Sequence, residues 1–268
     1  MGIAFAKGHG TGNDFVVVSD LDDHYDFTAK QVRAICDRQT GIGADGVLRV
    51  LHRDGHYFMD YRNADGSIAE MCGNGARVFV RYLIEEGLVT SGDLVIGTRG
   101  GDREVRVHAT GDISVVMGVP TTPQLRVAPV VSVGDRSWNA VGVHIPNPHA
   151  VVFVDALVDA GDLRAAPAVS PDDVFPEGVN VEFVVPVAEA HVAMRVFERG
   201  VGETLSCGTG ACAVAWAARR RDGASPAQTW LVDVPGGRLE VTERADGQVV
   251  LTGPAVIVTR GEIDLSTL

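Results

Sequence analysis

The stretch MDYRNADGSIAEMCGNGA at Met59–Ala76 returns as MRVFERGVGETLSCGTGA at Met194–Ala211. Five positions coincide 135 residues apart: Met59 with Met194, Cys72 with Cys207, Gly73 with Gly208, Gly75 with Gly210 and Ala76 with Ala211. Cysteine and methionine occur only four and five times in the chain, so glycine richness alone does not produce the match. The register extends outward. Gly43 in GIGADGV matches Gly178 in EGVNVEF, Gly118 in MGVP matches Gly253 in TGPA, and Asn13 in NDFVVV falls one step from Asn147 in NPHAVV. Self-similarity at a fixed offset marks duplicated units. It predicts two homologous, pseudo-symmetric halves, residues 1–120 carrying Cys72 and residues 121–259 carrying Cys207. The tail from about 260 to 268 is expected to pack onto the first half, and the Pro-rich Pro120–Arg126 reads as the crossing between halves.

Short β-branched runs bounded by Gly, Asp and Asn predict strands at Phe15–Val18, Val47–Leu51, Val105–His108 and Ile113–Met117. The second half repeats them at Ala150–Val154, Val179–Val185, His191–Phe197, Leu239–Thr242 and Val249–Leu251. Helical spacing is rarer. Thr28–Arg38 has a Thr N-cap signal with Val32, Ile35 and Cys36 on one face. Gly75–Glu86 and Gly210–Arg221 each begin just after a Cys-Gly-X-Gly and are apolar on most faces, which a buried helix requires. The expected class is α+β, each half a mostly antiparallel or mixed sheet rolled around a central helix.

A chain of 268 residues exceeds a usual single domain. With 46% apolar and 22% charged residues it is an ordinary globular composition. Thirty-five acids against 23 bases leave a net charge of −12, which argues against nucleic acid or an anionic membrane as partner. No apolar run spans a bilayer, and the opening MGIAFAKGHG reads as neither a signal peptide nor a myristoylation site. Lys7 and Lys30 are the only lysines, so a pyridoxal Schiff base would rest on one of two candidates. Gly8-x-Gly10-x-Gly12 fits neither nucleotide-loop pattern, and no helical pattern follows it. Cys36, Cys72, Cys207 and Cys212 lack metal-ligand spacing, so no metal site and no disulfide framework are expected, and the setting is the reducing cytoplasm.

The duplicated turns carry the chemistry. Each half delivers a cysteine immediately before the first turn of a buried helix, where unsatisfied N–H groups and partial positive charge favour thiolate. The N–H groups of Gly73–Asn74 and Gly208–Thr209 can cradle a carboxylate. Two such sulfurs on opposite faces of one carbon are what stereochemical inversion requires: a thiolate removes the α-proton and a thiol returns one from the other side. Cys36 and Cys212 fall inside apolar helical patterns and read as structural. A dithiol redox protein is the alternative of a different class, although no C-x-x-C turn exists here.

Nine motifs in order resemble the diaminopimelate epimerase family: KGHGTGNDF (Lys7–Phe15), GIGADG (Gly41–Gly46), RNADGS (Arg62–Ser67), MCGNGAR (Met71–Arg77), NPH (Asn147–His149), GVN (Gly178–Asn180), ERGVGET (Glu198–Thr204), SCGTGA (Ser206–Ala211) and PGG (Pro235–Gly237). The resemblance implies cofactor-independent conversion of LL- to meso-2,6-diaminopimelate for lysine and peptidoglycan synthesis, with the active site in a cleft between the halves. It implies no cofactor, and a small-molecule substrate as partner. A homodimer is compatible with it. By the same resemblance Cys72 and Cys207 are the acid/base pair, and Gly73, Asn74, Gly208 and Thr209 hold the reacting carboxylate. Asn13, Asn63, Asn147, Asn180, Glu198 and Arg199 bind the substrate's amino and carboxylate groups, and His149 and Glu198 tune the thiols. A racemase of another amino acid is the related alternative. Two departures stand out: Gly46, where some members carry a substrate-contacting Gln, and Pro146, where Gly usually precedes NPH.

Overall fold

The β-branched runs form strands in the computed structural model, which describes residues 2–123 and 127–265. The chain separates into two compact units, Met1–Val115 with Gly253–Leu268, and Val116–Thr252. At the C-terminal end the division falls before the expected 259/260, where the strand from Val256 onward is paired to the first strand. Of the Pro-rich crossing, residues 124–126 lie outside the described residues, as do 266–268 of the tail.

The first unit runs β1 (Gly2–Gly10), β2 (Asn13–Ser19), α1 (Ala29–Cys36), β3 (Gly46–Arg53), β4 (His56–Asn63), α2 (Gly73–Glu85), β5 (Gly92–Thr98), β6 (Arg103–Val107) and β7 (Ile113–Gly118), whose last residues cross the boundary. The second runs β8 (Val130–Val133), β9 (Arg136–His144), β10 (Pro148–Phe153), β11 (Ala168–Ser170), β12 (Asn180–Ala188), β13 (His191–Glu198), β14 (Gly202–Thr204), α3 (Gly208–Asp222), β15 (Trp230–Val234), β16 (Gly237–Glu243) and β17 (Val249–Gly253). Strand β18 (Val256–Asp264) returns to the first unit.

Hydrogen-bond topology repeats as the residues do. In the first unit β1–β2 is antiparallel, β2–β3 parallel, β3–β4 antiparallel, β4–β5 parallel, and β5–β6 and β6–β7 antiparallel. In the second, β9–β10, β10–β12, β12–β13, β13–β15, β15–β16 and β16–β17 follow the same sequence of senses. An eighth strand covers the outer edge of each, β18 on β1 and β8 on β9. Helix α2 packs on β1 to β4, and α3 on β9, β10, β12, β13, β15 and β16. Ten residues of α2 and eleven of α3 are buried, as the nearly all-round apolar patterns require.

The run Phe15–Val18 is buried at every position because both faces of β2 are covered. Phe15 underlies α2, whereas Val16, Val18 and Val47 join Val32, Ile35 and Cys36 in a separate core under α1. Thr28 caps α1 through a capping box with Gln31, and the helix stops at Cys36 rather than Arg38.

Candidate active site

The glycine-rich opening is not a loop. Gly2–Gly10 is a strand, and Thr11–Gly12, with φ of 50° and 85°, is a two-residue turn that pairs Gly10 with Asn13. Two positive φ angles make it the hairpin turn matched to strand twist. Asn13 therefore emerges from a tight turn, fixed in register. Its Nδ2 donates to Asp45 Oδ2 at 2.7 Å, which leaves Oδ1 facing Asn74 Nδ2 at 3.2 Å and the Cys72 thiol at 3.7 Å.

Cys72 is the N-cap of α2, with φ −140° and ψ 122°, and its Sγ accepts the N–H of Gly75 at 3.4 Å. Gly73 and Asn74 open the helix, so their N–H groups precede the intrahelical ladder. Asn74 is oriented by Arg77, whose guanidinium donates to Asn74 Oδ1 at 2.8 Å and to Gly73 O at 3.2 Å. Asn63 ends β4 opposite Gly46, and its amide bonds Ser67 Oγ at 2.9 Å rather than any other expected site residue. A side chain at Gly46 would meet Arg62 O at 2.6 Å and Tyr61 Cε2 at 2.7 Å, so this strand position leaves no room for one.

The second unit concentrates charge. Cys207 caps α3 with φ −117° and ψ 113°; Sγ accepts the Gly210 N–H at 3.3 Å and lies 3.4 Å from Thr209 Oγ1. Gly208 and Thr209 open this helix. Glu198, at the end of β13, accepts a hydrogen bond from Thr204 and lies close enough to Cys207 for its charge to act on the thiol. Burial pushes the Glu198 carboxyl up, and neighbouring Glu182 adds to the effect. Burial, then Glu198, then Glu182 hold the Cys207 thiol well above the usual range despite the Thr209 and Gly210 contacts. His149 on β10 is fully buried; its Nδ1 lies 2.6 Å from Glu182 Oε1 and its Nε2 3.0 Å from Asn147 Oδ1. Asn180 Oδ1 accepts the Arg199 N–H at 3.0 Å, and the Arg199 guanidinium donates to Glu177 O at 3.2 Å. Around Pro146 the chain closes tightly, Ile145 N–H donating to Asn147 O at 3.0 Å.

Within their own units, then, Asn13, Cys72, Gly73 and Asn74 come together, and so do Asn147, His149, Glu198, Cys207 and Thr209. Cys36 is structural: burial pushes its thiol up to about 12, and Cys212 is enclosed within α3. Three residues escaped the sequence reading: Asp45, Arg77 and Glu182. Asp45 lies inside GIGADG and was available there. Glu182 alternates with Asn180 along β12, which puts both on one side, a signal of period two that the repeat obscured by its single-step shift.

The glycines beneath the two cysteines separate the halves experimentally. A Cβ at Gly75 would find its nearest atoms at 3.4–3.5 Å, ordinary contact, whereas one at Gly210 would lie 2.8 Å from Glu182 Oε1. That oxygen is fully buried and held by His149, so it cannot swing aside. Gly75→Ala is therefore expected to be neutral or stabilising by up to about 1 kcal/mol, as alanine is in a helix. Gly210→Ala is expected to destabilise by about 1–3 kcal/mol through overpacking. Urea unfolding of both variants checks this; equal effects would contradict it.

The chain matches the family model described as Diaminopimelate epimerase over residues 5–123 and 141–258. It is 54% identical to the diaminopimelate epimerase of Streptomyces coelicolor, covering 99% of this chain and 97% of that protein. To that of Rhodococcus opacus it is 45% identical, covering 97% and 96%. Among solved structures, it is similar to a PhzF-family phenazine biosynthesis protein of Bacillus anthracis at TM-score 0.74, 19% identity and 98% and 99% coverage. A hydroxyproline epimerase of Agrobacterium vitis gives TM-score 0.70 at 14% identity, with 98% and 92% coverage. These two establish a shared fold.

Proposed function

Because the chain belongs to the diaminopimelate epimerase family, we propose that it interconverts LL- and meso-2,6-diaminopimelate in lysine biosynthesis, with Cys72 and Cys207 carrying the proton. The observation that supports this most is the duplicated cap: in each unit a cysteine sulfur closes the N-terminus of a buried helix. Such a sulfur is held by its backbone N–H bond, and the next helix N–H groups offer a place for a carboxylate. In this reading Gly73, Asn74, Gly208 and Thr209 neutralise the reacting carboxylate, which makes the α-proton more acidic without an imine. Cys72 starts as the base. Cys207, buried beside Glu198, starts as the acid. The reverse reaction exchanges the two roles. Asn13, Asn63, Asn147 and Asn180 bind amino and carboxylate groups with neutral donors and acceptors, and Arg199 suits the carboxylate at the substrate's far end. The expected setting is the cytoplasm.

Isotope incorporation tests the two-base step. A thiol's single proton exchanges with solvent, so in D₂O the first meso product is expected to carry deuterium at the inverted carbon. The abstracted proton rests on the other sulfur and can return, so recovered LL substrate gains deuterium more slowly than product forms. Mass spectrometry at low conversion, from LL and from meso starting material, reads this. A single base would hand the same hydrogen across, and product that kept it would overturn the reading.

A further inference from the structure

The two cysteine-capped helices rest on different side chains. Around the missing Cβ of Gly75 lie Cys72 Cβ, Leu48 Cδ2 and Phe15 Cζ; around that of Gly210 lie Glu182 Oε1, then Cys207 Cβ and Sγ at 3.2 and 3.3 Å. Strand registers make this an exchange at equivalent positions. Phe15 pairs with Gly46 and Val17 with Leu48; His149 pairs with Asn180 and Val151 with Glu182. The duplicated fold thus carries Phe15 and Leu48 under α2, and His149 and Glu182 under α3. An apolar pair is what a core favours by default, whereas a buried polar pair must satisfy its hydrogen-bonding groups to be tolerated.

Glu182 is fully buried, with Oε1 on His149 Nδ1 and Oε2 without a hydrogen-bond partner. Both ring nitrogens of His149 face oxygens, so the ring is fixed between Glu182 Oε1 and Asn147 Oδ1. The carboxylate also sits at the first turn of α3, where it offsets the positive end of the helix. That positive end is the feature that otherwise draws a cap cysteine toward thiolate.

We propose that Glu182 is a positioning residue for Cys207: its carboxylate locks His149 and occupies the N-terminal end of α3, so that Cys207 rests as the protonated acid while Cys72, over Leu48 and Phe15, is left as the base. This rests on the reading of Cys207 as a proton carrier. The charged groups facing Cys207 are Glu182 from β12, Glu198 from β13 and His149 from β10. On the other elements packed against α3, Arg136 of β9 pairs with Asp159, Asp233 of β15 with His191 and Arg238, and Glu243 of β16 with Arg219 near the far end of the helix, while Glu240 of β16 is exposed and His144 ends β9 half-buried.

The test is alkylation of Cys207 by iodoacetamide against pH, without substrate, with the labelled peptide quantified by mass spectrometry. Glu182→Gln is expected to move the midpoint down by roughly one pH unit, the scale set by one nearby like charge. The basic limb of the kcat/KM profile should move down with it. Glu182→Asp, which keeps the charge, should stay nearer the unsubstituted protein. If E182Q does not fold, His149→Phe with Glu182→Leu copies the first unit's pair and carries the same expectation. A midpoint unchanged or raised would overturn the proposal. Labelling is read apart from turnover, so that failure leaves the epimerase reading standing, and failure of the isotope test leaves the midpoint interpretable.

Discussion

Serine at position 72 or at position 207 is expected to lower kcat for LL-diaminopimelate by about 10³-fold, within the range supplied by one positioned acid or base. Both directions of the reaction should fall together, because each sulfur serves as base in one direction and acid in the other. Serine is the informative substitution for a structural reason. Each cysteine is an N-cap whose sulfur accepts the N–H of the third helical residue. Alanine would remove that cap and cost helix stability of about 1 kcal/mol, so a loss of activity could be ascribed to a loosened helix end. A serine hydroxyl is a favoured cap but a very poor thiolate substitute. The unfolding midpoint should therefore stay near that of the unsubstituted protein while turnover collapses. Initial rates with purified C72S and C207S, beside their urea transitions, check both halves of the statement. Either variant retaining a tenth of normal turnover would remove its cysteine from the mechanism.

The cysteine-capped helices were legible in the sequence because the two Cys-Gly-X-Gly turns precede segments with few polar faces, and because cysteine is rare enough for a repeat to show. The helices start two residues earlier than the periodicity suggested, at Gly73 and Gly208, since a cap is defined by its own geometry rather than by the first apolar residue. Strand β1 was hidden. Its glycines punctuate the alternation, yet a Cβ at Gly8 would lie 2.6 Å from Val256 O, so glycine there marks strands in close approach rather than a turn. The division into two units was blurred at the C-terminal end for a related reason: β18 belongs to β1 by hydrogen bonding across the length of the chain. Glu182 was concealed in another way. A single carboxylate within Val-Glu-Phe reads as the solvent face of a half-buried strand, and only the covering helix α3 reverses that face.

Arg77 was concealed by the same logic, and its removal carries the largest expected effect on stability. A lone arginine in a helix is ordinarily a surface residue, but this one is fully buried. Its guanidinium donates to Gly73 O at 3.2 Å and Asn74 Oδ1 at 2.8 Å within α2, to Thr11 Oγ1 at 3.4 Å in the β1–β2 turn, and to Pro254 O at 3.3 Å in the returning tail. One side chain thus joins three separate segments of the first unit, and the planar, five-donor fork is what allows it. Arg77→Met keeps much of the volume and removes every donor. Each buried acceptor left without its partner costs about 1–3 kcal/mol, and partial relaxation limits the total, so the expected loss is about 3–5 kcal/mol. Arg77→Lys should recover only a small part, because one ammonium cannot span the four oxygens. The consequence reaches the site. Without Arg77 the Asn74 amide is no longer held with Nδ2 toward Asn13, and Asn13 loses one of the contacts that keeps its Oδ1 beside the Cys72 thiol. Urea unfolding gives the stability loss directly, and epimerisation of the folded fraction at low temperature gives the second effect. A loss below about 1 kcal/mol would mean that the neighbouring segments close over the gap and that the buried guanidinium is not what joins them.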